Sequence, residues 1–195
     1  MKKIQIIAIA LLLASMQAFA QPVNWSFDKA HSHIIFKARH MVISDVSGYF
    51  RVFDGKVTTK GDDFSTAKID FTIDVNSINT ENEQRDGHLK SPDFFDAKQY
   101  PKMTFKSKYM KKVSDGEYEL VGDLTMKNTT KEIKLNVEYN GTIKDPYGKT
   151  RAGFRLSGSL DRFDYGLVWN KALETGGLVV GKVIKLDCEV EIVKD

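Results

Sequence analysis

The chain holds four histidines, His31, His33, His40 and His88, all in its first half. His31 and His33 are spaced i, i+2, so on a strand both rings would leave one face and could begin a metal site. A zinc site needs a third ligand, which His88 or Asp86 would have to bring, and the chemistry would then be metal-dependent hydrolysis. The competing reading has His31 and His88 hydrogen-bonding across one rim and fixing a helix there. Arg85 and Asp86 read as a structural pair on that helix. The pairs Asp62-Asp63 and Glu81/Glu83 resemble acid/base or calcium sites, but a turn and a helix start explain them. Cys188 is the single cysteine, so no internal disulfide forms; alternation places it with Ile184, Leu186, Val190 and Ile192, as a small buried hydrophobe. No nucleophile elbow, P-loop, dinucleotide fingerprint or cysteine-based metal motif is present. The expectation is a protein that is not an enzyme.

The elements that must hold these residues alternate with period two. Ile69, Phe71, Ile73 and Val75 alternate with Asp70, Thr72 and Asp74, and Ile133, Leu135, Val137 and Tyr139 with Glu132, Lys134, Asn136 and Glu138. About eight strands are predicted, near 22–28, 33–39, 47–59, 67–75, 102–112, 117–126, 130–144 and 149–162, with a last long one near 182–193. Asp115-Gly116, Lys127-Asn128-Thr129, Asn140-Gly141 and Asp145-Pro146-Tyr147-Gly148 supply the reversals. Thr80 to Glu83 reads as a capping box that starts a helix running to about Lys90, and Ser91-Pro92 starts a short turn carrying Phe94 and Phe95. The stretch Gly166 to Gly181, with Trp169 inside it, reads as a lid or closing loop. A meander of this size must close to bury its apolar face, so the expected class is all-β: an extended antiparallel β-barrel of about eight strands with one or two short helices. An outer-membrane barrel would put its apolar face outward. Mid-strand charges such as Lys106, Lys134 and Glu189 argue against that arrangement.

The first twenty residues read as an address. Lys2 and Lys3, an apolar run to Leu13, and Ala18-Phe19-Ala20 fit a cleaved bacterial signal peptide over 1–20, leaving one domain over 21–195. Without those two lysines the charge is 27 basic against 26 acidic side chains, so no nucleic-acid partner is expected.

Several blocks, in order, resemble the YceI family over nearly the whole mature chain. They are Phe27-Asp28-Lys29-Ala30-His31-Ser32-His33; Val46-Ser47-Gly48-Tyr49-Phe50; Asn76-Ser77-Ile78-Asn79-Thr80; Arg85-Asp86-Gly87-His88-Leu89; Ser91-Pro92-Asp93-Phe94-Phe95-Asp96; Gly122-Asp123-Leu124-Thr125-Met126; and Leu160-Asp161-Arg162-Phe163-Asp164-Tyr165-Gly166. Asn128 stands where that family often has Gly, a substitution that left-handed turn geometry tolerates. The resemblance implies a lipocalin-like barrel in the periplasm whose hydrophobic lumen holds a polyisoprenoid, such as an isoprenoid quinone or a polyprenyl phosphate. Expected wall residues are Phe36, Phe71, Phe94, Phe95, Met103, Phe105, Leu124, Met126, Phe154, Leu156 and Trp169. His31, Arg85 and His88 are the candidates at the rim, where Arg85 and His88 would donate to a quinone carbonyl or a phosphate. No cofactor is expected beyond such a bound, ubiquinone-like lipid. A fatty acid or fatty amide is the alternative cargo, loading would involve transient membrane contact, and a homodimer is compatible with the sequence.

Overall fold

The computed structural model describes residues 21–174 and 176–195; the expected signal peptide lies outside them. Eleven strands form one sheet: β1 (Pro22–Phe27), β2 (Ile34–His40), β3 (Ser44–Phe50), β4 (Phe53–Lys60), β5 (Asp63–Asp74), β6 (Ile78–Asn79), β7 (Lys102–Ser114), β8 (Glu117–Met126), β9 (Thr129–Lys144), β10 (Thr150–Asp161) and β11 (Val180–Lys194). Among the described residues one α-helix, α1 (Glu83–Lys90), is inserted between β6 and β7. The order β1-β4-β5-β7-β8-β9-β10-β11 closes on itself because β1 also pairs with β11, through Trp25 opposite Lys194 and Phe27 opposite Ile192. The result is a closed antiparallel barrel of eight strands. β2 takes over along β11 where β1 leaves it, with Leu186 opposite Phe36, and carries β3 and then β6 at its side.

The run expected as one strand over 47–59 is two. The chain breaks at Arg51-Val52, where the Arg51 N–H donates to the Ser77 carbonyl (3.2 Å) and the Asp74 N–H to that of Val52 (2.9 Å). This corner carries the chain from the neighbour of β2 to the neighbour of β1. The helix also starts later than the capping box implies. Asn82, not Thr80, is the N-cap, its side chain accepting from the Arg85 N–H at 2.9 Å, so Glu83 is the first helical residue. Glu81 turns the chain at φ 62° just before it. In the β8–β9 hairpin the left-handed residue is Lys127 (φ 51°) rather than Asn128.

The two ends of the barrel differ. At one, the β4–β5, β7–β8 and β9–β10 turns surround an aromatic cluster. Phe64 packs on Trp25 (5.3 Å between centroids), edge-on against Phe154 (4.9 Å) and against Tyr139 (5.4 Å). Trp25 is 1% exposed and donates its indole N–H to Thr59 at 3.1 Å. At the other end lie the β8–β9 turn, α1, the Phe94-Phe95 turn and the segment after β10. Between them the strands keep apolar side chains inward. Charged pairs cover the outside: Lys108 with Asp123 (2.7 Å) and Glu132 (2.9 Å), Lys134 with Glu119 (2.8 Å), and Arg155 with Asp187 (3.1 Å). That outward charge is opposite to the arrangement a lipid-embedded barrel requires. Gly122 of β8 permits one close approach: a Cβ there would stand 2.4 Å from the Phe105 ring, which lies across the strand.

Candidate functional site

The inward side chains do not fill the barrel. An apolar cavity of about 240 Å³ runs between the two ends. A single water needs about 10–15 Å³ of such space, so this is a lumen and not a packing defect. Phe36, Phe71, Phe94, Phe95, Met103, Phe105, Leu124, Met126, Phe154 and Leu156 all stand in its wall. Trp169 does not: it lies behind the wall, packed against His88 (4.8 Å) and Phe94 (5.2 Å). Along β10 the wall runs from Phe154 to Arg162, about 26 Å at 3.3 Å per residue. The space is long and narrow, floored by the Phe64–Phe154 pair.

Cys188 is also in the wall, its residual accessible surface turned toward the lumen. Burial pushes its thiol up to about 11, and its Sγ lies 3.7 Å from the Ile35 carbonyl. Its placement is that of the small hydrophobe the alternation implied, and its burial disfavours the thiolate.

The histidines do not assemble. His31 lies in the turn before β2, where strand periodicity no longer sets its direction, and hydrogen-bonds the Asp28 carboxylate at 3.0 Å. His88 is on α1, bonded to Asp93 at 2.9 Å. These sites sit at opposite ends, beside Arg151 and Arg162 respectively, separated along β10 by about 36 Å. Neither the metal cluster of His31, His33 and His88 nor a His31–His88 bond across one rim is therefore formed. Donor atoms of Asp28, His31 and Glu191 do lie within 4.8 Å of one another. Arg151 already supplies the positive charge there, its guanidinium reaching Asp28 and Glu191 at 2.5 Å each and Asp145 at 2.6 Å. Burial alone would raise the Asp28 carboxyl; hydrogen bonds with His31 and Arg151 outweigh it and hold the group well below the usual range. The Asp28 hydrogen bond raises His31 in turn.

Arg85 is committed elsewhere too. It donates to the Thr80 hydroxyl and carbonyl, both at 2.7 Å, while the buried Asp86 accepts from the Thr80 N–H (2.8 Å) and hydroxyl (2.6 Å). The two residues meet on Thr80 rather than on each other, and together they lock the entry to α1.

The charged residue that does border the lumen is Arg162, 3% exposed. It follows β10 in the inward phase of Phe154, Leu156 and Leu160, so the same alternation that picked out the wall could have found it. Its Nε donates to the Gly181 carbonyl (3.0 Å), one terminal nitrogen to Val180 (3.1 Å) and the other to Leu167. Among the described residues no carboxylate pairs with it; Asp161 instead faces the Phe163 N–H (3.0 Å) and Lys182 (3.5 Å). Burial lowers the Arg162 pKa from its ordinary value without neutralising a group that titrates so high. The same corner buries the Tyr165 hydroxyl without a partner among the described residues, pushed up to about 12 by desolvation. The segment expected as a lid crosses this end, tied by Asn170 to both backbone groups of Val180 (2.6 and 3.1 Å).

The YceI-like domain family matches residues 25–192. A UPF0312 protein of Staphylococcus aureus (strain N315) is 44% identical over 169 residues, 86% of this chain and 96% of that protein. Among solved structures, the Campylobacter jejuni YCEI protein is 34% identical with TM-score 0.71, covering 80% of this chain and 90% of that one. A polyisoprenoid binding domain from Saccharophagus degradans is 17% identical with TM-score 0.63, covering 91% and 99%. The lumen, the barrel around it and the matched sequence agree, and the chain belongs to the YceI-like family.

Proposed function

We propose that the protein is a periplasmic carrier that holds a long-chain polyisoprenoid in the barrel lumen and carries out no chemistry on it. The observation that carries this reading is the long apolar cavity, walled by aromatic and aliphatic side chains and bordered by one buried cation. Each buried CH₂-sized group of a guest contributes about 0.8 kcal/mol, so one five-carbon prenyl unit gains about 4 kcal/mol before ordering costs. The likeness to a domain described as polyisoprenoid-binding supports the same class of guest.

Arg162 supports an orientation. Three of its five N–H groups meet the carbonyls of Gly181, Val180 and Leu167, but among the described residues its charge has no carboxylate, and an anionic or acceptor-bearing head group at that end offsets the cost of burying it. A polyprenyl phosphate or a quinone meets that demand, with its tail directed to the Phe64–Phe154 floor. His31 stands at the other end, and Arg85 and His88, bonded to Thr80 and Asp93, stand outside the lumen wall that Arg162 borders, so the head-group role passes from these three to Arg162. The test is organic extraction and mass spectrometry of protein purified without detergent from the cells that export it. A prenyl lipid at near-stoichiometric amount is expected. A fatty acid or fatty amide would replace the proposed guest by the alternative, and an extract without lipid would overturn the carrier reading.

A further inference from the structure

The β2–β3 hairpin turns through Met41, Val42 and Ile43 at the same end of the barrel as Arg162. The Met41 N–H donates to the Val179 carbonyl at 2.9 Å, and Val180 pairs with His40. Met41 and Val42 both adopt left-handed backbone, φ 48° and 67°. Such turns ordinarily carry Asn and Gly, and a β-branched residue there is strained. The fold covers these side chains only in part, a Val42 methyl standing against Gly177. Ile43 is 83% exposed, Val42 60% and Met41 42%. Val168 and Leu178, from the segment crossing this end, add further exposed apolar surface.

A strained turn of three large apolar residues in water is doubly unfavourable for a free globule, and such conflicts gather at functional sites. The tip is a projection rather than a groove or a flat face. It suits a fluid apolar medium that closes around it better than a rigid protein surface that must be shaped to receive it. Met41, Val42 and Ile43 carry no charge themselves; His40, Lys171 and Lys182 flank them, but Arg39 is paired with Asp45 (2.9 Å) and Lys182 with Asp161 (3.5 Å), so the contact made by the tip itself is apolar. We infer that the Met41-Val42-Ile43 tip inserts into the surface of a lipid bilayer and docks the lumen's Arg162 end against it. The docking stands on the hairpin alone; its use in passing a guest between membrane and lumen rests on the carrier reading.

The test uses the mature protein with vesicles of phosphatidylethanolamine and phosphatidylglycerol, and with phosphatidylcholine alone. Trp placed by Ile43→Trp reports insertion: its emission shifts to the blue with both vesicle types and is quenched by lipids brominated on their chains, at low and high salt alike. Ile43→Ser weakens vesicle binding by about tenfold or more. The double variant Met41→Asn, Val42→Gly relieves the strained turn. It melts at a higher temperature than the parent and yet binds vesicles more weakly, an opposition that a purely structural role would not give. Unchanged Trp emission with millimolar lipid, or vesicle binding unaltered by Ile43→Ser, overturns the inference. So does a tip-dependent dimer in sedimentation, which would make a second copy the occupant. Binding of a fluorescent prenol to the emptied lumen is measured in parallel. Its persistence in every variant separates failure of the docking from failure of the carrier reading.

Discussion

Substituting Leu156 by Trp distinguishes a true lumen from a packed core by the sign of the stability change. Leu156 is half-buried in the middle of β10, opposite Val137 of β9 and Cys188 of β11, with its side chain in the lumen wall. In a filled interior, enlarging such a residue forces neighbours off their rotamers and costs about 1–3 kcal/mol. Here the ring enters vacant apolar space. Burial of the added atoms, at about 0.8 kcal/mol per CH₂-sized group, is offset in part by side-chain ordering and imperfect fit. A net stabilisation of about 1–2 kcal/mol remains. For a domain of this size that is a rise in Tm of about 2–8 °C. The same ring occupies the guest's path, so affinity for a fluorescent prenyl probe falls by more than about tenfold, equivalent to 1.4 kcal/mol. The assay is urea unfolding and thermal melting of delipidated parent and variant, since a retained guest would itself stabilise the parent by mass action. A variant destabilised by 2–3 kcal/mol that still binds the probe would refute the reasoning, for it would mean that the interior is already full and the guest sits elsewhere.

Phe154→Ala removes the edge-to-face partner of Phe64 from the barrel floor and should cost about 3–5 kcal/mol in urea unfolding, whereas Phe71→Ala, whose ring partly faces the lumen, should cost less. Because the Asp28 contact raises His31, that contribution is fully present below the ordinary histidine pKa and is lost as pH rises through the raised value; Tm should fall slightly from pH 6 to 8, and His31→Ala should flatten that slope. Asp28 is shifted the other way, so its contribution holds above the ordinary carboxylate range and is lost on acidification, a loss Asp28→Asn abolishes in melts at low pH. Cys188, its thiol pushed up to about 11, should resist maleimide at pH 7.5 in the folded protein and react promptly in urea, as followed by intact mass.

The barrel was legible because alternation and turn chemistry act locally. Asp115-Gly116 makes its hairpin with Gly116 at φ 72°, and Phe154, Leu156 and Leu160 face inward as their spacing requires. What escaped was set by distant partners. The corner at Arg51-Val52 exists because Ser77 and Asp74 bond to it, and the helix cap moved from Thr80 to Asn82 because Asp86 and Arg85 claim Thr80. His31 and His88 were not separable for a related reason: residue type groups them, but a turn and helix α1 place them at opposite ends, and sequence distance says nothing of that. Arg162 was within reach of the inward phase of β10, yet a charge at a strand's end is ordinarily taken for its solvent boundary.

The aromatic floor also makes the barrel a ruler. On the proposed carrier reading, Phe64 and Phe154 would stop a tail at one end, and the distance from that floor to Arg162 would fix how many carbons fit before the polar end stood at the guanidinium. A shorter tail leaves the charge short of its partner or the floor unfilled; a longer one has to coil or project. Selection among cargoes that share one chemistry but differ in size would then be a matter of measured length, graded by where the last carbon stops.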